Sequence, residues 1–257
     1  MTSWRCEEPL PLRTFLSRQL SLSLRQVNRF LDQNRCQVNG RFERFGSRRL
    51  VAGDRVVLEV EERTRGEPKV LFEDPQLLVL DKPAGWTSER CAEWARATLV
   101  HRLDRDTSGV LLLAKGDPAH LEDQFRKRLV EKHYLAVVVG VPRQSSGEIT
   151  SHLALKGTFS GQKIYGSAPT GKLSKTSWEL LFSSPSESLL RCTPHTGRTH
   201  QIRVHLAEMG HPVVGDGQYG QGGRMPGRHL LHAESLTLID PAVTFTSPAP
   251  PEIACAS

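Results

Sequence analysis

A chain of 257 residues with 38% hydrophobic and 24% charged content is long enough for one substantial core and one small module beside it. Its formal charge of +6 is unevenly placed, since residues 1–60 hold eleven Arg, no Lys and six acids while the remainder is close to neutral. Five cysteines, odd in number and without a C-x-x-C, argue against a disulfide framework or a zinc knuckle, and no apolar run is long enough for a transmembrane helix.

The opening MTSWRCEEPLPLR has acids and prolines where a secretory leader needs an apolar stretch, so a cytoplasmic protein without membrane association is expected. Leu12, Phe15, Leu16 and Leu20 then recur at helical spacing, and Leu24, Val27 and Leu31 do so again after a break at Ser21–Ser23. Two short helices are predicted, each with an apolar side for a core and with Arg13, Arg18, Arg25 and Arg29 on its polar positions. In CQVNGRF the Asn39-Gly40 pair signals a tight turn, and in LVAGDRVVLEV the pair Gly53-Asp54 opens a β-branched strand. Residues 1–62 thus form a helix-helix-strand unit, and the charged EERTRGEPK marks a linker at 63–69.

A second domain is expected over residues 70–257. The apolar runs of LFEDPQLLVLDKPAGW, VLLLAK and KHYLAVVVG come first, with a helical HLEDQFRKRLV between the last two. SWELLF, SLLRC, QIRVHLAEMG and SLTLID follow. Short runs broken by turns, with few helices, indicate an α+β domain on a largely antiparallel mixed sheet, and the Pro-rich TSPAPPEIACAS reads as a terminal tail.

In VHRLDRDTSGVLLLAK, Asp104 stands just before a Thr-Ser-Gly turn that leads into a strand. Arg102 and Arg105 flank it, and a neighbouring cation favours the ionised carboxylate that a nucleophile or base requires. An aspartate here could also simply cap the turn through the amides of Thr107 and Ser108, and that role falls to Asp106. The four histidines His195, His200, His205 and His211 lack the spacing of a zinc helix, so no metal is expected.

Two resemblances organise these observations. LRTFLSRQL, SLRQVNRFLDQNRCQVNG and LVAGDRVVL resemble the S4 RNA-binding domain, which implies RNA contacts from Arg13, Arg18, Arg25, Arg29, Arg35 and Arg41; an Arg-rich face suits RNA, because guanidinium forks bind phosphate and stack on bases. HRLDRDTSG resembles the signature of RluA-type pseudouridine synthases. LDKPAGW, KHYLAVVVG, GKLSKTSWELL, TGRTHQIRVHLAEMGHPVVGDGQYG and RHLLHAESLTL resemble further segments of that family in order, over nearly all of residues 70–251.

The second resemblance implies the pseudouridine synthase fold and a cofactor-free isomerisation of uridine in RNA. Asp104 is then the catalytic carboxylate, acting on sugar or base. Tyr134 lies against the uracil, where its ring stacks and its hydroxyl helps to remove the C5 proton; the plainer reading is a core tyrosine beside Leu135 and Val137. Arg203 pairs bidentately with Asp104. Arg102 is placed to fill the gap left by a flipped base, and Arg105, Thr107, Lys132, Arg198, Thr199, His200 and Gln201 are expected to contact substrate. The implied partner is ribosomal RNA, favoured by the S4-like segment, or transfer RNA, with the protein acting as a monomer. A non-catalytic RNA-binding protein and a hydrolase of N-glycosidic bonds are the competing readings.

Overall fold

Leu12, Phe15 and Leu16 lie on one side of a nine-residue helix and are buried, which is what their spacing dictates for α1, Leu12–Leu20. The helix ends where Ser21 turns left-handed at φ 53° and returns its amide to the Ser17 carbonyl. These coordinates come from a computed structural model that describes residues 2–24, 27, 28, 31, 36–58, 66–159, 162–220 and 228–254. Two compact units result. One is built on Met1–Thr64 and takes in Lys156–Ile164 and Met225–Arg228; the other comprises Arg65–Leu155, Tyr165–Arg224 and His229–Ser257.

In the first unit Leu24, Val27, Asn28 and Leu31 are helical. Val27 and Leu31 are buried, but Leu24 is 47% exposed, so the second helix's apolar side is narrower than its leucine spacing predicts. The strands β1 (Thr2–Arg5), β2 (Cys36–Val38), β3 (Arg41–Phe42) and β4 (Arg55–Leu58) form an antiparallel sheet in the order β1-β4-β2-β3. The Asn39-Gly40 turn joins β2 to β3 with positive φ at both residues, which explains the pair. Strand β1 is an addition that the sequence reading did not contain.

Most of an 11-stranded sheet belongs to the second unit; its order is β11-β10-β12-β13-β9-β14-β8-β6-β5, with β15 beside β14 and β7 beside β8. The strands are β5 (Lys69–Glu73), β6 (Leu77–Lys82), β7 (Thr98–Leu99), β8 (Ser108–Ala114), β9 (Glu131–Val139), β10 (Ser146–Phe159), β11 (Gln162–Ser167), β12 (Lys172–Ser183), β13 (Glu187–Pro194), β14 (Leu231–Leu238) and β15 (Val243–Thr246). The β14–β8 pairing is parallel, whereas β5–β6, β6–β8, β9–β13, β9–β14, β10–β12 and β12–β13 are antiparallel. The expected α+β class with a largely antiparallel mixed sheet is therefore what the chain forms.

The helices of this unit are α2 (Ser88–Ala95), α3 (Ala119–Lys127), α4 (Gln201–Glu208) and α5 (Pro251–Ala254). All seven residues of β8 are buried; fully burying each of its leucines contributes about 2 kcal/mol. The strand can approach β14 because Gly109 has no side chain, a Cβ there lying 2.1 Å from the Ala233 carbonyl oxygen. Two expectations change. QIRVHLAEMG is not a strand-like run but α4, buried on every side from Gln201 to Leu206, with the polar Gln201, Arg203 and His205 enclosed along with its apolar residues. The Pro-rich end is not a free tail through Ala254, since α5 buries Ile253 against Leu135, Val137 and Val214.

Candidate active site

Asp104 lies on the segment between β7 and β8, and its backbone is fastened on both sides. Ser88, in the first turn of α2, accepts the Leu103 amide at 2.9 Å and donates to the Leu103 carbonyl at 3.1 Å. After Asp104, the Arg105 carbonyl accepts from the Gly85 amide at 2.8 Å and from Lys82 Nζ at 2.9 Å. Lys82 is fully buried, yet its ammonium also reaches the Pro83 and Trp86 carbonyls at 3.1 and 2.6 Å. A buried ammonium is tolerated only when its donors are met, so this lysine locks the Lys-Pro-Ala-Gly turn to the Asp104 loop. The Thr107 amide donates to the Asp104 carbonyl at 3.1 Å and closes the turn, and the Asp106 carboxylate lies 3.4 Å from its neighbour Arg105.

A cleft of about 700 Å³ opens over this loop, lined among others by Arg102, Asp104, Tyr134, Lys132, His200 and Arg203. The Asp104 side chain keeps 22% of its surface exposed. Tyr134 lies in β9, between Cys192 of β13 and Ala233 of β14, at the floor of the cleft. Burial, reinforced by the Asp104 carboxylate, raises its phenol well above the ordinary tyrosine range. Tyr134 is therefore a neutral phenol in the unliganded cleft, offering it a ring face and a hydroxyl.

Arg203 projects from α4 and is 3% exposed. Its Nη1 donates to Asp104 Oδ2 at 3.1 Å. The bidentate partner is a different carboxylate, Asp216, which takes Nε at 2.6 Å and Nη2 at 2.9 Å, while Gln218 Oε1 takes Nη2 at 2.9 Å. This corrects the expected fork between Arg203 and Asp104: the fork belongs to Asp216, and Asp104 receives one bond. Burial alone would raise the Asp216 carboxyl, but the guanidinium overrides it and holds the group far below the usual carboxylate range. Asp216 thus offsets most of the Arg203 charge, leaving Asp104 oriented but not neutralised.

The loop before α4 is organised by Gln201. Its Oε1 accepts from Thr196 Oγ1 at 2.7 Å and from the Arg198 amide at 3.0 Å, and its Nε2 donates to the Lys175 carbonyl and Thr176 Oγ1, both at 2.9 Å. Both ends of its amide are committed to holding the loop, and Gln201 also stands in the cleft lining. Thr107, likewise in the lining, is buried with its hydroxyl 2.9 Å from His229 Nε2, whereas Arg105 is not among the residues lining the cleft. The structure also brings Arg102, Lys132, Arg198, Thr199 and His200 to the cleft lining, with Thr107 and Gln201. Arg102 is largely exposed, 3.7 Å from Glu89; Arg198 Nε donates to the Leu173 carbonyl at 3.0 Å; burial lowers the Lys132 ammonium. His200 is also buried enough, with Arg203 nearby, to have its pKa pushed down to about 4, so the ring is neutral at physiological pH.

In the first unit Arg13, Arg18 and Arg41 are exposed, although Arg18 is paired with Glu8 at 2.7 Å. Arg25, Arg29 and Arg35 lie outside the described residues. No cluster of three or more His, Cys, Asp or Glu that could hold a metal exists among the described residues. Sequence reasoning missed Asp216 and Tyr219. Their signal was the polar GDGQYG at the end of a segment already singled out, but nothing in it names Arg203 as the partner.

Residues 76–208 match the family model described as RNA pseudouridylate synthase. The chain is 33% identical over 219 residues to an uncharacterized RNA pseudouridine synthase, YhcT, of Bacillus subtilis, covering 74% of this chain and 72% of that protein. It is 38% identical to ribosomal large subunit pseudouridine synthase C of Vibrio vulnificus, covering 70% of this chain but only 62% of that protein. Among solved structures, human RNA pseudouridylate synthase domain containing 1 matches with a TM-score of 0.64 at 28% identity, covering 77% of this chain and 91% of that one. Human RNA pseudouridylate synthase domain containing 4 matches with a TM-score of 0.61 at 25% identity, covering 73% and 90%. A cleft that presents an aspartate at the Arg-Leu-Asp loop, on a sheet shared with these structures, belongs to one family: the chain is a member of the RNA pseudouridylate synthases, isomerases that act on RNA.

Proposed function

We propose that this protein converts uridine to pseudouridine in structured ribosomal RNA, with Asp104 as the catalytic carboxylate. The observation that carries this reading is the division of labour at Arg203. Asp216 takes its fork, and a single 3.1 Å bond aims Asp104 into the cleft as an available anion. In the isomerisation the N1 glycosidic bond breaks, the uracil turns within the cleft, and C5 bonds to the ribose; C5 gives up a proton and N1 gains one, so mass is conserved. Tyr134 supplies the ring against which the base turns, and Arg102 and Lys132 supply cations to the strand around the target. Because N1 and C5 of a paired uridine are inside the stack, the target must be unpaired or flipped out.

The choice of ribosomal RNA rests on the S4-like resemblance of the first unit and on relatives named for the ribosomal large subunit. In this reading the Arg-rich segment supplies salt-dependent affinity, and the nearly neutral second unit supplies chemistry. RNA carrying tritium at uridine C5 is the direct test. The intact protein should release label and leave pseudouridine in the chain, and Asp104→Asn should release none while binding RNA about as well. Free uracil among the products would point to glycosidic hydrolysis. No release from unmodified ribosomal or transfer RNA would leave an RNA-binding protein without catalysis.

A further inference from the structure

Beside Asp104 is a hydrogen-bonded aromatic pair, His200 with Tyr219, in which the family resemblance gives Tyr219 no role. The Tyr219 hydroxyl lies 2.7 Å from His200 Nδ1 and accepts the Tyr165 amide at 3.0 Å. On its other side, His200 Nε2 stands 3.9 Å from Asp104 Oδ1. The rings of Tyr165 and Tyr219 both meet the imidazole edge-on, with centroids 5.5 and 5.6 Å away, and the Arg203 guanidinium lies 5.0 Å over the Tyr219 ring. His200 is itself held in left-handed backbone at φ 56° as the residue that starts α4. A non-glycine residue in that region costs free energy and persists where its surroundings over-determine it.

The proton on this pair can be placed. The Tyr165 amide has already filled one acceptor position on the Tyr219 oxygen, and the phenol, raised to about 12 by burial, keeps its own proton. That proton needs an acceptor, and Nδ1 of neutral His200 at 2.7 Å is in place; the separation is that of a hydroxyl donor more than of a ring N–H donor. We infer that Tyr219 is a positioning residue: its hydroxyl donates to Nδ1 of His200, fixes the ring as the Nε2–H tautomer, and makes His200 a neutral hydrogen-bond donor beside Asp104. The 3.9 Å between Nε2 and Oδ1 is too long for a good direct hydrogen bond. It suits one substrate oxygen that donates to the carboxylate and accepts from the imidazole at once. A ribose hydroxyl of the target nucleotide has that donor-acceptor chemistry. This assignment rests on the reading of Asp104 as the catalytic carboxylate, but its proton placement does not.

Imidazole nitrogen NMR on the intact protein decides the proton placement without any turnover. Wild-type His200 should show a protonated Nε2 and a bare Nδ1, and Tyr219→Phe, which keeps the ring over Arg203, should populate both tautomers. In the tritium-release assay kcat of Tyr219→Phe should fall roughly five- to tenfold, as expected for one lost hydrogen bond, with RNA affinity unchanged. A wild-type ring protonated at Nδ1 overturns the inference, and it can be read even if the variant does not fold. An altered tautomer with unchanged kcat overturns the catalytic part. If the wild-type protein releases no tritium, the reading of Asp104 fails while the tautomer result still stands or falls by itself.

Discussion

Replacing Asp216 with Asn keeps the shape of the side chain and removes its charge from the most buried ion pair described. Arg203 and Asp216 have 4% and 0% of their side-chain surfaces exposed, and the contacts at 2.6 and 2.9 Å use two of the five guanidinium donors. Removing one partner of such a pair costs about 3–5 kcal/mol, because an uncompensated charge stays buried. A Coulomb estimate at an effective dielectric of about 20 and a separation near 4 Å gives about 4 kcal/mol, which agrees. The remaining negative partner of Arg203 is Asp104, so the guanidinium should close on it and tie down the carboxylate that has to react. Denaturant unfolding should show a loss of at least about 3 kcal/mol, and tritium release should slow by roughly two orders of magnitude. Gln218→Ala is the control, since it removes a neutral acceptor and should cost about 1–3 kcal/mol. An Asp216→Asn protein within about 1 kcal/mol of wild type and fully active would falsify the claim that Asp216 carries the Arg203 charge.

Further expectations follow from the same geometry. Lys82→Met retains most of the side-chain volume but leaves three carbonyls without their ammonium, so unfolding experiments should show a loss of about 3 kcal/mol, with kcat falling because the Arg105 end of the Asp104 loop is untied. An unchanged kcat would place Lys82 outside the positioning of that loop. Stability should drop on acidification between pH 6.5 and about 4: burial lowers His200 from 6.5 to about 4, so in that window the unfolded chain binds a proton that the folded chain does not. The His200 contribution is about 3 kcal/mol, and His200→Gln should make the pH dependence of the unfolding midpoint shallower without abolishing it, because burial also lowers His101, to about 3, and His205. Combined replacement of Arg13, Arg18 and Arg41 by Ala should weaken RNA binding and reduce the slope of log affinity against log salt by up to about 3, with Arg18 contributing least because Glu8 already pairs with it. An unaltered slope would remove these arginines from the RNA contact.

What the sequence disclosed and what it concealed divide along physical lines. The strands β6 and β8 and the Leu135–Val138 stretch of β9 were legible because buried strand segments are continuous apolar runs, and Asn39-Gly40 was legible because few pairs accept positive φ. Strand β10 was not. It runs for 14 residues, Ser146–Phe159, with Leu153 its one buried hydrophobic among the described side chains, so no apolar alternation marks it. Helix α2 carried its signal in Thr87, whose hydroxyl accepts the Arg90 amide, but its short apolar face was overlooked. At the site, Asp104, Tyr134 and Arg203 were legible through motif resemblance. The assignment of the Arg203 fork was not, because Asp104 and Asp216 are both aspartates in recognisable segments and only packing decides which one meets two donors.

That choice between two aspartates also bears on affinity. A cleft for RNA must hold phosphates near a carboxylate, and an anion that shares its one guanidinium with a second carboxylate still repels them; Arg102, Lys132 and Arg198 on the lining oppose that repulsion while the fork of Arg203 is engaged with Asp216. Asp104 is therefore an electrostatic cost to binding that the chemistry requires. Neutralising it as Asn removes this cost along with the reaction, so affinity for RNA should hold steady or rise slightly as turnover disappears, most visibly at low salt where phosphate interactions are least screened. A marked loss of affinity in Asp104→Asn would mean that the carboxylate is itself a principal ligand of the RNA, and the separation of grip from chemistry would not hold.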